Sequence, residues 1–299
     1  MYSSVMSNPT PTFNYQKLTA NFKETEHLFI YQSDPHDERW LVKFSRANTT
    51  EQLLTALKSI QLGSNHDHPV ISSIRNYYVQ NAHPTGFEIY EKLPRMKENL
   101  SDVLTRHITA QKPMSEAQII KYFYSLVSGI DYLHNKKIPH RNIKPTNVLF
   151  NRFGDIKLAD IRAGNIVREL DTFGVPINSE GSIYVAPEIQ AANLEQKLKK
   201  EQLYRADMWS LGAIIVELCL NERLSGDAKI QNRVSELKVR YSETLVEILS
   251  SLVRENPEER MTAGNVKANL MKIYEELQNE KPSLEGVERG RRFLSGIRN

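Results

Sequence analysis

The stretch from Ile138 to Asp160 reads IPHRNIKPTNVLFNRFGDIKLAD and holds a dense group of chemically informative side chains. Five polar members lie close together in the chain: His140, Arg141, Asn142, Lys144 and Asn147. Asp160 follows Asn147 by thirteen residues, on the far side of a short apolar run. Taken singly, Asn147 and Asp160 could be turn residues, and Lys144 could be a solvated charge. The spacing of the whole set is hard to reach by chance.

This spacing resembles the catalytic loop of the eukaryotic protein kinases, written H-R-D-L-x-x-x-N and followed by the Asp of D-F-G. The resemblance implies that Asn147 and Asp160 hold Mg²⁺. Two motifs depart from the family pattern. Asn142 stands where the catalytic Asp is expected, and Ile161-Arg162 stands in place of the Phe-Gly of D-F-G. The stretch therefore resembles a kinase that has lost its catalytic base, a pseudokinase.

Further motifs of the same family follow in the expected order. Lys144, two residues after the base position, is typical of the Ser/Thr-kinase branch rather than the tyrosine-kinase branch. The triplet at 186–188 is the A-P-E motif. The resemblance implies that Asp207, in ADMWSLGAIIVEL, anchors the backbone of the catalytic loop, and that Arg260 pairs with Glu188. These residues maintain the fold rather than the chemistry.

The region that should close over nucleotide phosphates departs from the family. Residues 22–44 predict two strands joined by a turn with Asp34 and Pro35. A kinase has a Gly-rich loop here, because glycine lets the backbone approach phosphates closely. This chain has no glycine before Gly63, and its turn is acidic, with Asp34, Asp37 and Glu38. Such a turn would cover phosphates poorly and repel them.

Lys43, in LVKF, occupies the place of the Lys of V-A-I-K, which binds nucleotide phosphates and a helix Glu. The alternative is an exposed strand lysine. The following helix, predicted over residues 49–62, offers only one acid, Glu51. Glu51 lies in the first turn, where an acid stabilises the helix dipole. The usual glutamate partner of Lys43 is therefore in doubt.

Residues 86–93, GFEIYEKL, predict the strand that leads into the hinge between the two lobes of a kinase. The resemblance implies that Tyr90 is the bulky gatekeeper of the nucleotide cleft. It also implies that the backbone of Glu91 through Leu93 offers hydrogen-bonding groups to an adenine.

The fold class that follows is α+β, a bilobal protein-kinase-like fold with a small β-rich N-lobe and a larger helical C-lobe. We expect a flexible arm over residues 1–14, the N-lobe over 15–93, the C-lobe over 94–280 and a basic tail over 281–299. A long C-lobe helix is predicted after Ser115, where Ser115 and Gln118 match the capping-box pattern.

Composition is that of an ordinary globular protein: 299 residues, 40% hydrophobic and 25% charged. A net charge of +3 gives no argument for nucleic-acid or membrane binding. Cys219 is the only cysteine, which excludes an intramolecular disulfide and fits a reducing compartment. The most apolar helix candidate, LGAIIVELCL from Leu211, is too short to span a bilayer and carries Glu217. We therefore expect a cytoplasmic protein without a membrane span.

These features predict a catalytically impaired kinase-like domain that regulates or scaffolds a protein partner, such as an active kinase, and binds ATP and Mg²⁺ weakly. A slow or atypical Ser/Thr protein kinase is the alternative. General-base catalysis is worth about 10²–10⁴-fold, so the loss at Asn142 alone could leave a slow enzyme. Here it coincides with the missing Gly-rich loop, the doubtful partner of Lys43, and Arg162. Four departures in one cleft favour the impaired form.

Overall fold

The computed structural model describes residues 29–32, 40–81, 86–162, 183–191, 198–225 and 229–279. The expected N-terminal arm, the acidic turn with Asp34 and Pro35, and the basic C-terminal tail lie outside the described residues. Within them a β-rich region precedes a helical region. The predicted α+β fold is confirmed.

The N-terminal region is built on a four-stranded antiparallel sheet in the order β1-β2-β4-β3. Its strands are β1 (Phe29–Gln32), β2 (Trp40–Ala47), β3 (Asn76–Asn81) and β4 (Phe87–Pro94). Helix α1 (Thr50–Gly63) begins after Thr49, whose side chain accepts a hydrogen bond from the Gln52 amide at 3.2 Å. Ile60 of α1 packs with Ala47 and Ile89, and all three are buried. This contact holds α1 against one face of the sheet.

The C-terminal region is mainly helical and is arranged around two long helices, α3 and α5. Its helices are α2 (Leu100–Thr109), α3 (Glu116–Asn135), α4 (Pro187–Gln190), α5 (Lys200–Leu220), α6 (Ile230–Ser235), α7 (Glu243–Leu252) and α8 (Ala263–Asn279). A second antiparallel sheet contains β5 (Glu98–Asn99), β6 (Val148–Phe150) and β7 (Ile156–Leu158). None of the helices in the described ranges is long and apolar enough to cross a membrane.

Helix α3 begins where the sequence predicts, but with half of the predicted capping box. The Ser115 hydroxyl accepts a hydrogen bond from the Gln118 amide at 3.3 Å. The Gln118 side chain does not return to the backbone of Ser115. It donates instead to the Tyr122 hydroxyl, one turn further along the helix, at 3.1 Å. The i, i+4 geometry of a helix brings these two side chains together.

The two regions are joined through the segment between α1 and β3. The Leu158 amide of β7 donates to the Val70 carbonyl at 2.6 Å, and the Ser72 amide donates to the Leu158 carbonyl at 2.9 Å. Gly129 of α3 lies directly beneath this segment, because a Cβ there would be only 3.0 Å from a Val70 methyl group. The small residue lets the helix approach the segment closely. The N-terminal sheet is thereby fixed to the same strand that leads to Asp160.

Beneath the C-terminal region, Glu188 and Arg260 form the predicted ion pair. The guanidinium donates two hydrogen bonds to the carboxylate, at 2.7 and 2.8 Å. Arg260 has no exposed side-chain surface, and the carboxylate of Glu188 is 11% exposed. Arg260 also donates to the carbonyl groups of Arg205, Arg254 and Glu255. This single guanidinium therefore ties α4 to α5 and to the loop before α8.

We expect Glu188→Ala to destabilise the protein strongly, because it leaves a buried guanidinium charge without its counter-ion. Breaking a buried ion pair from one side costs about 3–5 kcal/mol, which corresponds to a fall in melting temperature on the order of 10 °C. The measurement is thermal unfolding followed by circular dichroism. Glu258→Ala, an exposed glutamate near Arg260 in the chain, is the control and should leave the melting temperature unchanged. Equal melting temperatures for both variants would contradict the role assigned to the pair.

Candidate functional site

The candidate site is built on a loop that one buried carboxylate holds in place. Asp207 of α5 is 2% exposed and accepts hydrogen bonds from the backbone amides of His140 and Arg141, both at 2.7 Å. It also bonds the ring Nε2 of His134 at 2.9 Å. Arg141 has a positive φ of 68°, so the chain turns sharply at this point. The anchoring role expected of Asp207 is confirmed.

His140 is fully buried beneath the loop. Burial lowers the pKa of His140 to about 4, although the nearby Asp207 acts in the opposite direction. The imidazole is therefore neutral near pH 7. Its Nδ1 accepts a hydrogen bond from the Asn142 amide at 3.3 Å. His140 supports the loop from within and supplies no charge to the cleft.

Asn142 and Asn147 lie next to each other in this loop. The side-chain Nδ2 of Asn147 donates to the Asn142 carbonyl at 2.8 Å. The Oδ1 of Asn147 accepts no hydrogen bond from any residue that the structure describes. The side-chain Nδ2 of Asn142 donates to Oδ2 of Asp160. The three polar residues that the sequence singled out are thus brought together, with Asn142 acting as a hydrogen-bond donor.

Asp160 is the centre of the site, since three side chains donate to its carboxylate. Lys43 Nζ lies 3.3 Å from Oδ1. Asn142 donates to Oδ2, and so does Arg162, through Nε at 3.2 Å and Nη2 at 3.0 Å. Asp160 has a φ of 65°, a left-handed conformation that Asp tolerates better than most residues. The carboxylate is 26% exposed, so it lies at the wall of the cleft.

Lys43 has an acidic partner that the sequence did not identify. Its ammonium lies 3.6 Å from the carboxylate of Glu91 in β4. The register of the sheet places Lys43 directly opposite Glu91, and directly opposite residues on an antiparallel pair project from the same face. Glu51, the acid considered from the sequence, is exposed in the first turn of α1. The missing glutamate is supplied by a strand instead of a helix.

Tyr90 does not occupy the gatekeeper position, and that prediction is wrong. Because side chains alternate between the two faces of a strand, Tyr90 projects from the face opposite to that of Glu91. Its ring lies 5.2 Å from that of Phe44, and its hydroxyl donates to Glu88 at 2.9 Å. Glu91 is the β4 side chain that faces Lys43. The cleft therefore has a carboxylate where a bulky aromatic residue was expected.

The charges of Lys43 and Asp160 stabilise each other. Burial would raise the pKa of the Asp160 carboxyl, but Lys43 and Arg162 outweigh it and hold this pKa well below its usual range. Burial would lower the pKa of the Lys43 ammonium, but Asp160 and Glu91 raise it above its ordinary value. Both groups are charged at neutral pH. Lys43, Glu91, Asp160 and Arg162 form one network, here called the cleft charge network.

The remaining predicted site residues lie at the edges of the cleft. Leu93 lies opposite Leu41 in the ladder between β2 and β4. The role of Glu91 and Leu93 towards an adenine stays a prediction. Lys144 is exposed and precedes a short 3₁₀ turn at Pro145–Asn147.

The side chains present offer two oxygen ligands to a divalent cation. Carboxylate and amide oxygens suit Mg²⁺, and the residues concerned are Asn147 and Asp160. Among the described residues, no three His, Cys, Asp or Glu side chains cluster as a metal site would require. A cation at Asp160 would therefore depend on ligands from a bound phosphate or water. By residue type the two positions suit a phosphate-bound Mg²⁺ rather than an all-protein metal cage, but the Asp160 carboxylate already accepts hydrogen bonds from Lys43, Asn142 and Arg162.

Two functional features escaped the sequence reasoning, the acidic partner of Lys43 and the contact of Arg162 with Asp160. The acidic partner of Lys43 could have been found from the alternation of side chains along β4. Glu91 projects from the same face of the sheet as Lys43, which lies directly opposite it on β2. Placing Glu91 in this way requires the register, which a single sequence does not supply. The contact of Arg162 with Asp160 had no positional signal beyond the presence of an arginine two residues after Asp160.

Comparison with known proteins identifies the fold and its family. The protein kinase domain model matches residues 33–270. The chain is similar to the serine/threonine-protein kinase Nek11 of Homo sapiens, at 27% identity over 252 residues, covering 80% of this chain and 36% of that protein. It is similar to the Aurora kinase of Schizosaccharomyces pombe, at 28% identity over 176 residues, covering 54% of this chain and 45% of that protein. The chain spans about a third of the length of the first curated relatives that it matches.

Among solved structures, the chain is similar to the MAP kinase LmaMPK10 from Leishmania major, with a TM-score of 0.60. The alignment covers 85% of this chain and 82% of that one, at 15% sequence identity. At that identity the likeness shows the fold alone. It agrees with the arrangement of a β-rich region followed by a helical region.

We expect Lys43 and Glu91 to be energetically coupled, which a double-mutant cycle on unfolding free energies measures. The variants are Lys43→Met, Glu91→Gln and the pair. Residues in contact show coupling of about 0.5–3 kcal/mol, and a partly buried pair at 3.6 Å should give about 1 kcal/mol. The matched control is a cycle of Lys43→Met with Glu88→Gln, on the opposite face, where the coupling should be near zero. Equal coupling in the two cycles would show that the pair has no special relation.

Proposed function

Because this chain belongs to the protein kinase domain family, we propose that it is a catalytically impaired kinase-like domain that serves as a regulatory or scaffolding module. Its partner is a protein, such as an active kinase, and its cleft binds ATP weakly. The kinases that it resembles include Ser/Thr kinases, and Lys144 agrees with that branch.

The observation that carries the proposal is the contact of Asn142 with Asp160. A catalytic base must accept a proton from the substrate hydroxyl. The Asn142 side chain has no basic group at neutral pH, and its Nδ2 donates to the Asp160 carboxylate. Its amide is thus used as a donor within the protein. The loss of general-base catalysis corresponds to about 10²–10⁴-fold in rate, or roughly 3–5 kcal/mol of activation barrier.

The residues that maintain the fold contrast with those of the cleft. Asp207 holds the loop backbone, and the buried pair of Glu188 and Arg260 holds the lower part of the helical region. The cleft, in comparison, departs from the family pattern at Asn142 and Arg162. A fold kept intact around an altered cleft supports a role in binding rather than in phosphoryl transfer.

The proposal includes roles towards ATP and Mg²⁺, taken from the family pattern. Lys43 would bind the nucleotide phosphates, and the backbone of Glu91 and Leu93 would face the adenine. Asn147 and Asp160 are the positions that would hold Mg²⁺ once the contact of Arg162 with Asp160 is displaced. When bound, Mg²⁺ supplies charge neutralisation between phosphate oxygens. Lys43 already donates to Asp160 and pairs with Glu91, so phosphates must compete with two carboxylates for it. Weak binding follows from that competition.

A slow Ser/Thr protein kinase is the second candidate, and the retained positions Lys43, Asn147 and Asp160 favour it. These three residues supply the phosphate and metal contacts on which phosphoryl transfer chiefly depends. A water molecule or another side chain would then replace the base. The two candidates differ in measurable activity.

We expect ATP to bind with a dissociation constant on the order of 0.1–1 mM. At ten times that constant, a ligand stabilises the folded state by about 1.4 kcal/mol, which a thermal-shift assay detects. Lys43→Met should abolish the shift. Lys58→Met replaces an exposed lysine of α1 and should keep it. An identical shift in parent and Lys43→Met would contradict the assigned phosphate contact.

We expect Asn142→Asp to restore no phosphotransfer from ATP to a generic Ser/Thr peptide. The introduced carboxylate would stand within hydrogen-bond distance of Asp160 Oδ2, and two carboxylates this close repel each other. The measurement is transfer of labelled phosphate. The control for contaminating kinases combines Asn142→Asp with Asp160→Ala.

Activity in the parent that disappears with Asp160→Ala would favour the slow kinase. Activity only in Asn142→Asp would mean that the base alone was missing, and that the other departures in the cleft do not prevent chemistry.

A further inference from the structure

Arg162 bonds the atom that a divalent cation would need. Its Nε and Nη2 both donate to Oδ2 of Asp160, at 3.2 and 3.0 Å. Asn142 donates to the same oxygen, and Lys43 takes the other one. Both oxygens of the Asp160 carboxylate therefore accept hydrogen bonds from side chains of this chain, and Oδ2 accepts most of them.

The backbone holds Arg162 in this position. Its amide donates to the His140 carbonyl at 3.1 Å, and His140 is itself fixed by Asp207. The positive φ of Asp160 turns the chain just before Arg162. The guanidinium needs to reach only two residues back along the chain, so its local concentration at Asp160 is high.

The charges in the cleft match this arrangement. Lys43 and Arg162 contribute two positive charges, and Asp160 and Glu91 contribute two negative charges, so the cleft charge network is formally neutral. Relative to the family pattern, Asn142 removes one negative charge and Arg162 adds one positive charge. The sum is a change of +2, which is the charge of one Mg²⁺. A divalent cation entering at Asp160 would meet an already balanced site and would have to displace a cation.

The ligand requirements of Mg²⁺ also disfavour its binding at Asp160. Mg²⁺ loses its water reluctantly and requires oxygen ligands in near-octahedral geometry. The side-chain oxygens assigned to it belong to Asn147 and Asp160, and those of Asp160 are engaged. A guanidinium carries its charge at any accessible pH and donates in a fixed planar geometry. The tethered guanidinium of Arg162 therefore binds the Asp160 carboxylate in preference to Mg²⁺.

We propose that Arg162 competes with the divalent cation for Asp160, so that the cleft excludes Mg²⁺ and accepts ATP as the metal-free polyphosphate anion. The exclusion of Mg²⁺ depends only on residues of this chain and does not require that ATP binds. The statement about ATP rests on the proposed function.

The first experiment measures divalent-cation binding without nucleotide. Mn²⁺ is the probe, since it replaces Mg²⁺ at oxygen ligands and broadens nearby backbone amide signals in NMR spectra. We expect no selective broadening of the Asn142 to Asn147 amides in the parent, and selective broadening in Arg162→Ala. Arg162→Lys, which keeps a cation, should behave as the parent. Arg162→Ala combined with Asp160→Ala should lose the gained broadening, and Arg152→Ala, at an exposed arginine, should gain none.

The second experiment measures ATP affinity with Mg²⁺ and with a chelator. We expect the two dissociation constants to agree within about twofold in the parent. In Arg162→Ala, Mg²⁺ should tighten ATP binding by about tenfold, a coupling within the usual range for two linked ligands. Arg152→Ala should again match the parent.

The outcomes separate the two proposals. Broadening in the parent, or none in Arg162→Ala, overturns the role of Arg162. A parent whose ATP affinity rises fivefold or more with Mg²⁺ overturns it as well. Gain of Mn²⁺ binding in Arg162→Ala without ATP binding in any variant supports the exclusion of metal. That last result overturns the nucleotide part of both this proposal and the proposed function.

Discussion

The hydrogen bonds from the loop backbone to Asp207 are the constraint on which the site depends. A carboxylate that is 2% exposed must have its oxygens satisfied, and here the amides of His140 and Arg141 satisfy them. This fixes the start of the loop to α5. Asn142 and Asn147 come next in the loop. The β6–β7 hairpin then reverses the chain, so that Asp160 lies beside Asn142. The position of the cleft is thus determined by a buried carboxylate outside it.

The sequence predicted the parts of the structure in which a side chain binds backbone or one buried partner. The roles of Asp207, Glu188 and Arg260 followed from the resemblance of their motifs to the kinase family, and those motifs lie in the large helical region where the resemblance is continuous. Glu91 could not be placed, because its contact with Lys43 depends on the register of two strands. A shift of one residue moves every side chain to the other face of a sheet, and Tyr90 was assigned to the wrong face for that reason.

Charge in the cleft is compensated locally rather than left for a ligand to balance. Each carboxylate of the cleft charge network bonds a cation, and Lys43 bonds both carboxylates. In a partly buried site, an unpaired charge would be costly, so the charges of Lys43 and Asp160 need counter-ions. Glu91 and Arg162 supply them. This explains why Glu91 and Arg162, which the sequence did not place in the site, carry opposite charges and lie at the two ends of the cleft charge network.

The interactions that hold the fold and the interactions within the cleft therefore tolerate substitution differently. Asp207 and the pair of Glu188 and Arg260 bind backbone groups and buried atoms whose positions are set by the path of the chain, so a substitution there destabilises the fold. The side chains of the cleft bind mainly one another, and a change in one can be balanced by a change in a neighbour. Loss of a carboxylate at Asn142 and gain of a guanidinium at Arg162 act on the same oxygen of Asp160. The cleft residues can thus vary together while the contacts of Asp207, Glu188 and Arg260 hold the surrounding fold.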